Sequence, residues 1–192
     1  MVSFGISEDK MESKMPYHHI AIATKDMLAT HEFYTKAMGF DLVRVEKANT
    51  GRATGTDGWA KHYFYDTGDG EMMAFWEIHD DTIDPNFPTS ISEGLGLPKW
   101  SNHIAYRSES LEDLASARKR INAAGYDVVE IDHHWCTSIY VDDPNGIMVE
   151  FCVTTQAFTD EDKKRAHEAL HQSSIDDEPA PKVTLHKAGE TG

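Results

Sequence analysis

Toward the end of the chain the sequence reads Ile131-Asp132-His133, five residues, then Ile139-Tyr140-Val141-Asp142-Asp143-Pro144-Asn145-Gly146, and finally Glu150. A histidine, a phenol and a carboxylate thus fall along one short hairpin, with a Pro-Asn-Gly turn between the last two. Upstream, His19 in HHIAIAT and His103 in NHIAYR each open a short run of strand character. Two imidazoles and one carboxylate from separate strands are the donors of a facial triad for Fe(II), which leaves positions open for oxygen and a substrate. Mn(II), which also accepts nitrogen and carboxylate oxygen, is the alternative ion.

The elements that must position these residues occur twice. HHIAIATKDMLATHEFYTKAMGFDLVRVEK and NHIAYRSESLEDLASARKRINAAGYDVVEID both start at a histidine, run four residues as a strand, then change to helical spacing. Each predicted helix ends at a glycine, Gly39 or Gly125, suited to a left-handed cap. A strand follows each, Phe40 to Val45 and Tyr126 to Ile131. KHYFYDTGDG then parallels TSIYVDDPNG, and MMAFWEI parallels IMVEFCV, as the closing strands. The unit is β-α-β-β-β used twice, with His19 and His103 separated by 84 positions.

Residues 16–155 therefore read as one paired-module domain, with 16–79 and 101–155 as the modules. Residues 80–100 form a Pro- and Gly-bearing connection whose apolar residues suit either a lid or a packed linker. Residues 1–15 are polar and expected to be disordered. In 156–192, a helix beginning near Thr159 is expected before a polar tail that is mobile or lies on a partner subunit. The 192 residues can bury a proper core, and the 40% hydrophobic content is that of a globular chain. A formal net charge of -15 argues against nucleic acid and against an anionic membrane surface. Two cysteines, Cys136 and Cys152, make no disulfide framework, so a reducing cytoplasm is the expected compartment.

Strand parity asks whether the polar candidates face together. Ile20 and Ile22 share one face, leaving His19 on the other. Ile147, Val149 and Phe151 share a face, leaving Glu150 with Met148 and Cys152. Ile139 and Val141 share a face, leaving Tyr140 with Ser138. Each candidate is out of phase with its apolar neighbours, as residues collected on the concave side of a curled sheet would be.

On these residues the chain resembles the vicinal oxygen chelate superfamily, which takes in glyoxalases, bleomycin resistance proteins and extradiol dioxygenases. The segment from Ile131 to Glu150 is similar to the signature of type I extradiol ring-cleavage dioxygenases: the histidine, the tyrosine, the Asp-Pro-x-Gly turn and the closing glutamate. The resemblance implies an α+β fold in which two βαβββ modules form a cupped mixed sheet around a metal. It implies His19, His103 and Glu150 as metal ligands, with His19 favoured over His18 by the shared His-Ile-Ala spacing. His133 would act as acid/base or hydrogen-bond donor to the oxygen intermediate, and Tyr140 would contact a substrate oxygen. The implied activity is Fe(II)-dependent cleavage of a catechol-like ring by O2, in a protein that assembles as a homodimer or higher homo-oligomer.

One departure opens a second expectation. Where such dioxygenases often carry a further catalytic histidine, AFWEIHDD offers Glu77, with His79 two residues on. In glyoxalase-like members a glutamate there is a fourth ligand or base, which implies a Ni- or Zn-dependent isomerase or lyase built on His19, Glu77, His103 and Glu150. A non-catalytic protein with a closed ligand cavity is a third reading, and a thiol transferase acting on antibiotics a fourth. His62 is open between a cavity-facing residue and a plain strand residue.

Overall fold

The computed structural model describes residues 17–51, 55–174 and 179–189; the N-terminal segment expected to be disordered lies outside them. The first module runs β1 (His19–Thr24), α1 (Met27–Glu32, continued by a widened turn over Phe33–Ala37), β2 (Asp41–Asn49), β3 (Trp59–Gly68) and β4 (Glu71–His79). A connection holding a short helix α2 (Ile91–Gly94) and a tight turn at Lys99–Ser101 leads into the second module. That module runs β5 (His103–Arg107), α3 (Leu111–Ala123), β6 (Val128–Asp132), β7 (Cys136–Asp142) and β8 (Met148–Thr154). Helix α4 (Asp160–Ala169) and strand β9 (Lys182–His186) complete the described chain.

The sheets are ordered β1-β4-β3-β2 and β5-β8-β7-β6-β9. In each module the first strand pairs parallel with the last, and the others pair antiparallel. The architecture is α+β with two mixed sheets. Each module contributes one sheet, as the paired-module reading expects, and β1 and β5 each take a ladder partner on one edge only. The tail, expected to be mobile or to lie on a partner, instead returns as β9 and pairs antiparallel with β6 of its own chain. The reason is local: Val183 and Leu185 alternate with polar residues, and the open edge of β6 offers unpaired backbone groups.

Helix boundaries follow from side-chain chemistry. Asp26, Ser110 and Thr159 accept hydrogen bonds from backbone amides that the first turns of α1, α3 and α4 leave unpaired. Gly39 and Gly125 close the two module helices with φ of 78° and 95°, where a side chain would be strained. An alanine at position 39 would also place its Cβ 2.9 Å from Arg120 Nε, in the guanidinium that donates to the carbonyls of Ala37 and Met38.

Both sheets bury their inner faces in one apolar core with the two module helices. Phe33, Tyr34, Met38 and Phe75 come from the first module, and Tyr106, Ile121, Val149 and Phe151 from the second. Aromatic edges lock the modules together, with Phe33 and Phe40 reaching Tyr126 and Tyr106 at 4.9 Å between centroids. A polar seam crosses the same interface. The fully buried Tyr34 donates to Asp143 Oδ2 at 3.1 Å, and Asn145 reaches Thr30 at 3.2 Å. Asp143 Oδ1 in turn accepts the amides of Asn145 and Ile147, so the Asp-Pro-Asn-Gly turn is tied to the opposite module. Replacing Tyr34 with Phe leaves a buried carboxylate short of one donor and is expected to cost about 1–3 kcal/mol, read as a lower urea midpoint with an unchanged slope.

Candidate metal centre and substrate cavity

The parallel pairing of β5 and β8 sets Ala105 beside Glu150, two residues along from His103. His103 and Glu150 therefore share the outer face of the second sheet, away from Ile104, Tyr106, Val149 and Phe151. His103 Nε2 lies 3.2 Å from Glu150 Oε2. The other imidazole nitrogen, Nδ1, is 2.9 Å from the carbonyl oxygen of Trp100, a group that can only accept. Nδ1 therefore carries a proton, which leaves Nε2, beside the carboxylate, as the nitrogen that could ligate a metal.

Glu150 is only 5% exposed, and burying a carboxylate demands partners. Ser138 supplies one by donating to Oε1 at 2.5 Å. Tyr140 stands directly opposite Glu150 across the β7–β8 pair, and its hydroxyl lies 3.0 Å from His133 Nε2. Burial, reinforced by the Glu150 charge and opposed by a hydrogen bond from Ser138, pushes the Tyr140 phenol up to about 12. At neutral pH the phenol is a hydrogen-bond donor. Before this face opens a cavity of about 560 Å³, bordered by His103, His133 and Tyr140 and by the apolar side chains of Val129, Ile131 and Met148.

The remaining predicted residues are placed elsewhere. His19 stands on the outer face of the first sheet, opposite Met72, with its ring 5.8 Å from that of His62. Among the described residues, no three His, Cys, Asp or Glu side chains are gathered where one ion could hold them. One chain therefore brings His103 and Glu150 together and leaves His19 apart. His62 shares the His19 face, stacks on Trp76 at 3.8 Å, and keeps a buried Nε2 that has no hydrogen-bond partner among the described residues. Burial, and then the charge of His19, lower its pKa.

Glu77, expected as a fourth ligand or base, is on the wrong side of the sheet. It pairs with Thr24, out of phase with His19, and takes hydrogen bonds from Tyr63 at 2.6 Å and His79 at 2.9 Å. Burial raises its pKa, but the Tyr63 and His79 bonds and the Lys61 charge outweigh it and hold the carboxyl below its usual range. His79 has the same parity and stacks on Trp59, so it is no nearer to His19. The true counterpart of Glu150 in the first module is Ala74, which lies beside Ala21 as Glu150 lies beside Ala105. Sequence reasoning also missed Ser138 and the Trp100 carbonyl as supports. Ser138 shares its parity with Tyr140 and so was detectable, whereas the carbonyl contact depends on the turn at Lys99–Ser101.

Two βαβββ modules, each with an inner face in a common core and an outer face free for chemistry, define the class. The chain belongs to the Glyoxalase/Bleomycin resistance protein/Dioxygenase superfamily, whose family model matches residues 17–151. That superfamily includes glyoxalases, dioxygenases and resistance proteins. No curated protein matches the sequence. Among solved structures, a glyoxylase/bleomycin resistance protein/dioxygenase domain from Frankia sp. EAN1pec is similar, with a TM-score of 0.57 at 16% identity over 76% of this chain and 96% of that one. A glyoxalase/bleomycin resistance protein/dioxygenase from Nocardioides gives 0.46 at 20% identity over 78% and 91%. Lactoylglutathione lyase from Agrobacterium tumefaciens gives 0.47 at 15% identity over 73% and 95%. No helix among the described residues is long and apolar enough to cross a membrane.

Cys136 and Cys152 flank this site on β7 and β8, and both are free thiols. Burial, followed by the neighbouring Cys152, pushes the Cys136 thiol up to about 11. A disulfide-exchange reagent at pH 8 should label no more than one thiol per native chain, with Cys136 protected until denaturant is added, and Cys152→Ser should abolish native labelling.

Proposed function

We propose that this protein is an Fe(II)-dependent extradiol-type dioxygenase that opens the ring of a catechol-like substrate with O2. The observation that carries the reading is Ala74. With no carboxylate at the first-module counterpart of Glu150, and with Glu77 on the opposite face, the donors at the matched positions of the two modules are His19, His103 and Glu150. A 2-His-1-carboxylate set suits ferrous oxygenases, whereas a four-ligand site suits the glyoxalase-type isomerase. The donors fit a divalent ion: His103 has its tautomer set by the Trp100 carbonyl, and Glu150 has one oxygen held by Ser138.

In this reading His103 and Glu150 hold the ion together with His19. Because one chain keeps His19 apart from the other two, we assign the third ligand to His19 of a second copy, and the functional unit to a homodimer. Fe(II), when bound, supplies the one-electron chemistry that O2 needs to attack a closed-shell ring. The chain's own residues orient the substrate and handle its protons. Tyr140 donates from its hydroxyl to a substrate oxygen, and His133 Nε2, 3.0 Å behind it, takes or returns a proton. Val129, Ile131 and Met148 give the ring an apolar wall to lie against.

The primary test is oxygen uptake by anaerobically iron-loaded protein across a panel of catechols. Uptake with a coloured ring-opened product, abolished in His103→Ala and Glu150→Ala, is the expected result; uniform absence of uptake would sink the assignment. Ser138→Ala should weaken metal binding about 10–100-fold, measured by calorimetric titration. Glu77→Gln should leave turnover within about twofold of wild type, because its side chain lies on the face opposite His19. Inactive His19→Ala and His103→Ala chains, when co-refolded, should regain about a quarter of wild-type activity, since half of the dimers are then mixed and each carries one intact site. Recovery of none would place all three ligands on one chain.

A further inference from the structure

Strand β9 runs antiparallel along the whole of β6, from Lys182 beside Asp132 to His186 beside Val128. Its far end is clasped. Arg118 Nη1 donates to His186 Nδ1 at 3.2 Å, which leaves Nε2 as the protonated nitrogen that donates to Glu130 at 3.0 Å. The side-chain amide of the buried Asn122 donates to the His186 carbonyl at 3.3 Å, and Lys187 pairs with Asp127 at 2.7 Å. At its other end the tail meets the turn between β6 and β7. There the Pro179 carbonyl accepts from His134 Nε2 at 3.2 Å. The residue before His134 is His133, whose own Nε2 lies 3.0 Å from the Tyr140 hydroxyl.

His134 has a φ of 70°, a left-handed backbone that a residue with a Cβ adopts only at a cost. Such a conformation persists where its surroundings fix it. Here the His134 amide donates to Asp132 Oδ1 at 2.8 Å, and its carbonyl accepts from Thr155 Oγ1 at 3.3 Å. Its ring is tied to Pro179, and Asp132 is itself paired with Lys182 of β9. The turn is thus gripped from the end of β8 on one side and from the tail on the other. Resting on the reading of His133 as the acid/base, we propose that the returning tail is a positioning element for that histidine. β9 and the Pro179 carbonyl hold the His134 turn in the form that aims His133 Nε2 at the Tyr140 hydroxyl. Proton exchange between the two demands hydrogen-bond reach, and a displacement of about 1 Å can cost roughly 100-fold in rate. His134 is a positioning residue in this scheme, and its ring is the anchor.

Substitutions at position 134 of the full chain separate aim from stability. Glycine relieves the left-handed backbone but removes the anchor. Asparagine tolerates that backbone, yet its amide stops short of Pro179, whereas glutamine places its amide nitrogen where Nε2 stood. His134→Gly and His134→Asn should keep the urea midpoint at or above that of wild type and lower kcat about tenfold with KM unchanged. His134→Gln should restore kcat, and His186→Ala, at the opposite end of β6, should lower it in the same way. A second readout needs no turnover. With 15N in the histidine rings at about pH 8, where imidazoles are mostly neutral, the two His133 nitrogens should give the separate signals of one fixed tautomer in wild type and His134→Gln. In His134→Gly they should average. Separate signals in His134→Gly overturn the proposal, as does a urea midpoint that falls in step with kcat across the series. Averaging in His134→Gly that His134→Gln reverses, in a protein that takes up no oxygen, leaves the proposal standing and removes the dioxygenase reading instead.

Discussion

Every chemical feature of this protein depends on the two-residue period of paired strands. Because side chains alternate across a sheet, a parallel register that sets Ala105 beside Glu150 puts Glu150 on the His103 face and commits Ile104 and Tyr106 to the core. A slip of one residue would bury the histidine and expose the apolar set. The core and the site are therefore one constraint seen from two sides: the apolar inner face holds the register, and the register aims the donors.

The same constraint separates the modules in function. They share topology and core, yet at matched registers one carries Glu150 and the other Ala74. The first module contributes an exposed histidine, a buried neutral imidazole at His62 and aromatic surface; the second contributes a buried carboxylate with its serine, a tautomer-set histidine and the cavity. Duplication of the fold has not meant duplication of the site. A division of donors between two outer faces is the reason for proposing a metal centre shared with a second copy, while each chain folds around its own core.

Burial also sorts the polar groups into supports and reactants. Asp143 is buried and spent on the turn amides and on Tyr34, where it joins the modules. Burial raises its pKa despite those donors. Glu150 is as deeply buried, but its surroundings are a serine, a tyrosine and a histidine edge rather than a closed set of backbone amides. A carboxylate satisfied in that way retains an oxygen for an ion. Glu77, satisfied by Tyr63, His79 and Lys61, is a surface pairing on the other face.

The sequence by itself determined the repeated βαβββ order, the helix ends at Gly39 and Gly125, and the out-of-phase setting of His19, Tyr140 and Glu150, because strand and helix periods and glycine conformations are local properties. Only the tertiary structure decided which strands meet and in what register. Glu77 was suggested by the resemblance to glyoxalase-like members, but the β1–β4 pairing turns it away and puts Ala74 in the matched place. The Trp100 carbonyl, the strand made by the tail and the separation of His19 from His103 and Glu150 were equally hidden. Each is a relation between residues distant in sequence or set by the path of a turn, and no local pattern encodes which edges and faces the packed core will leave open.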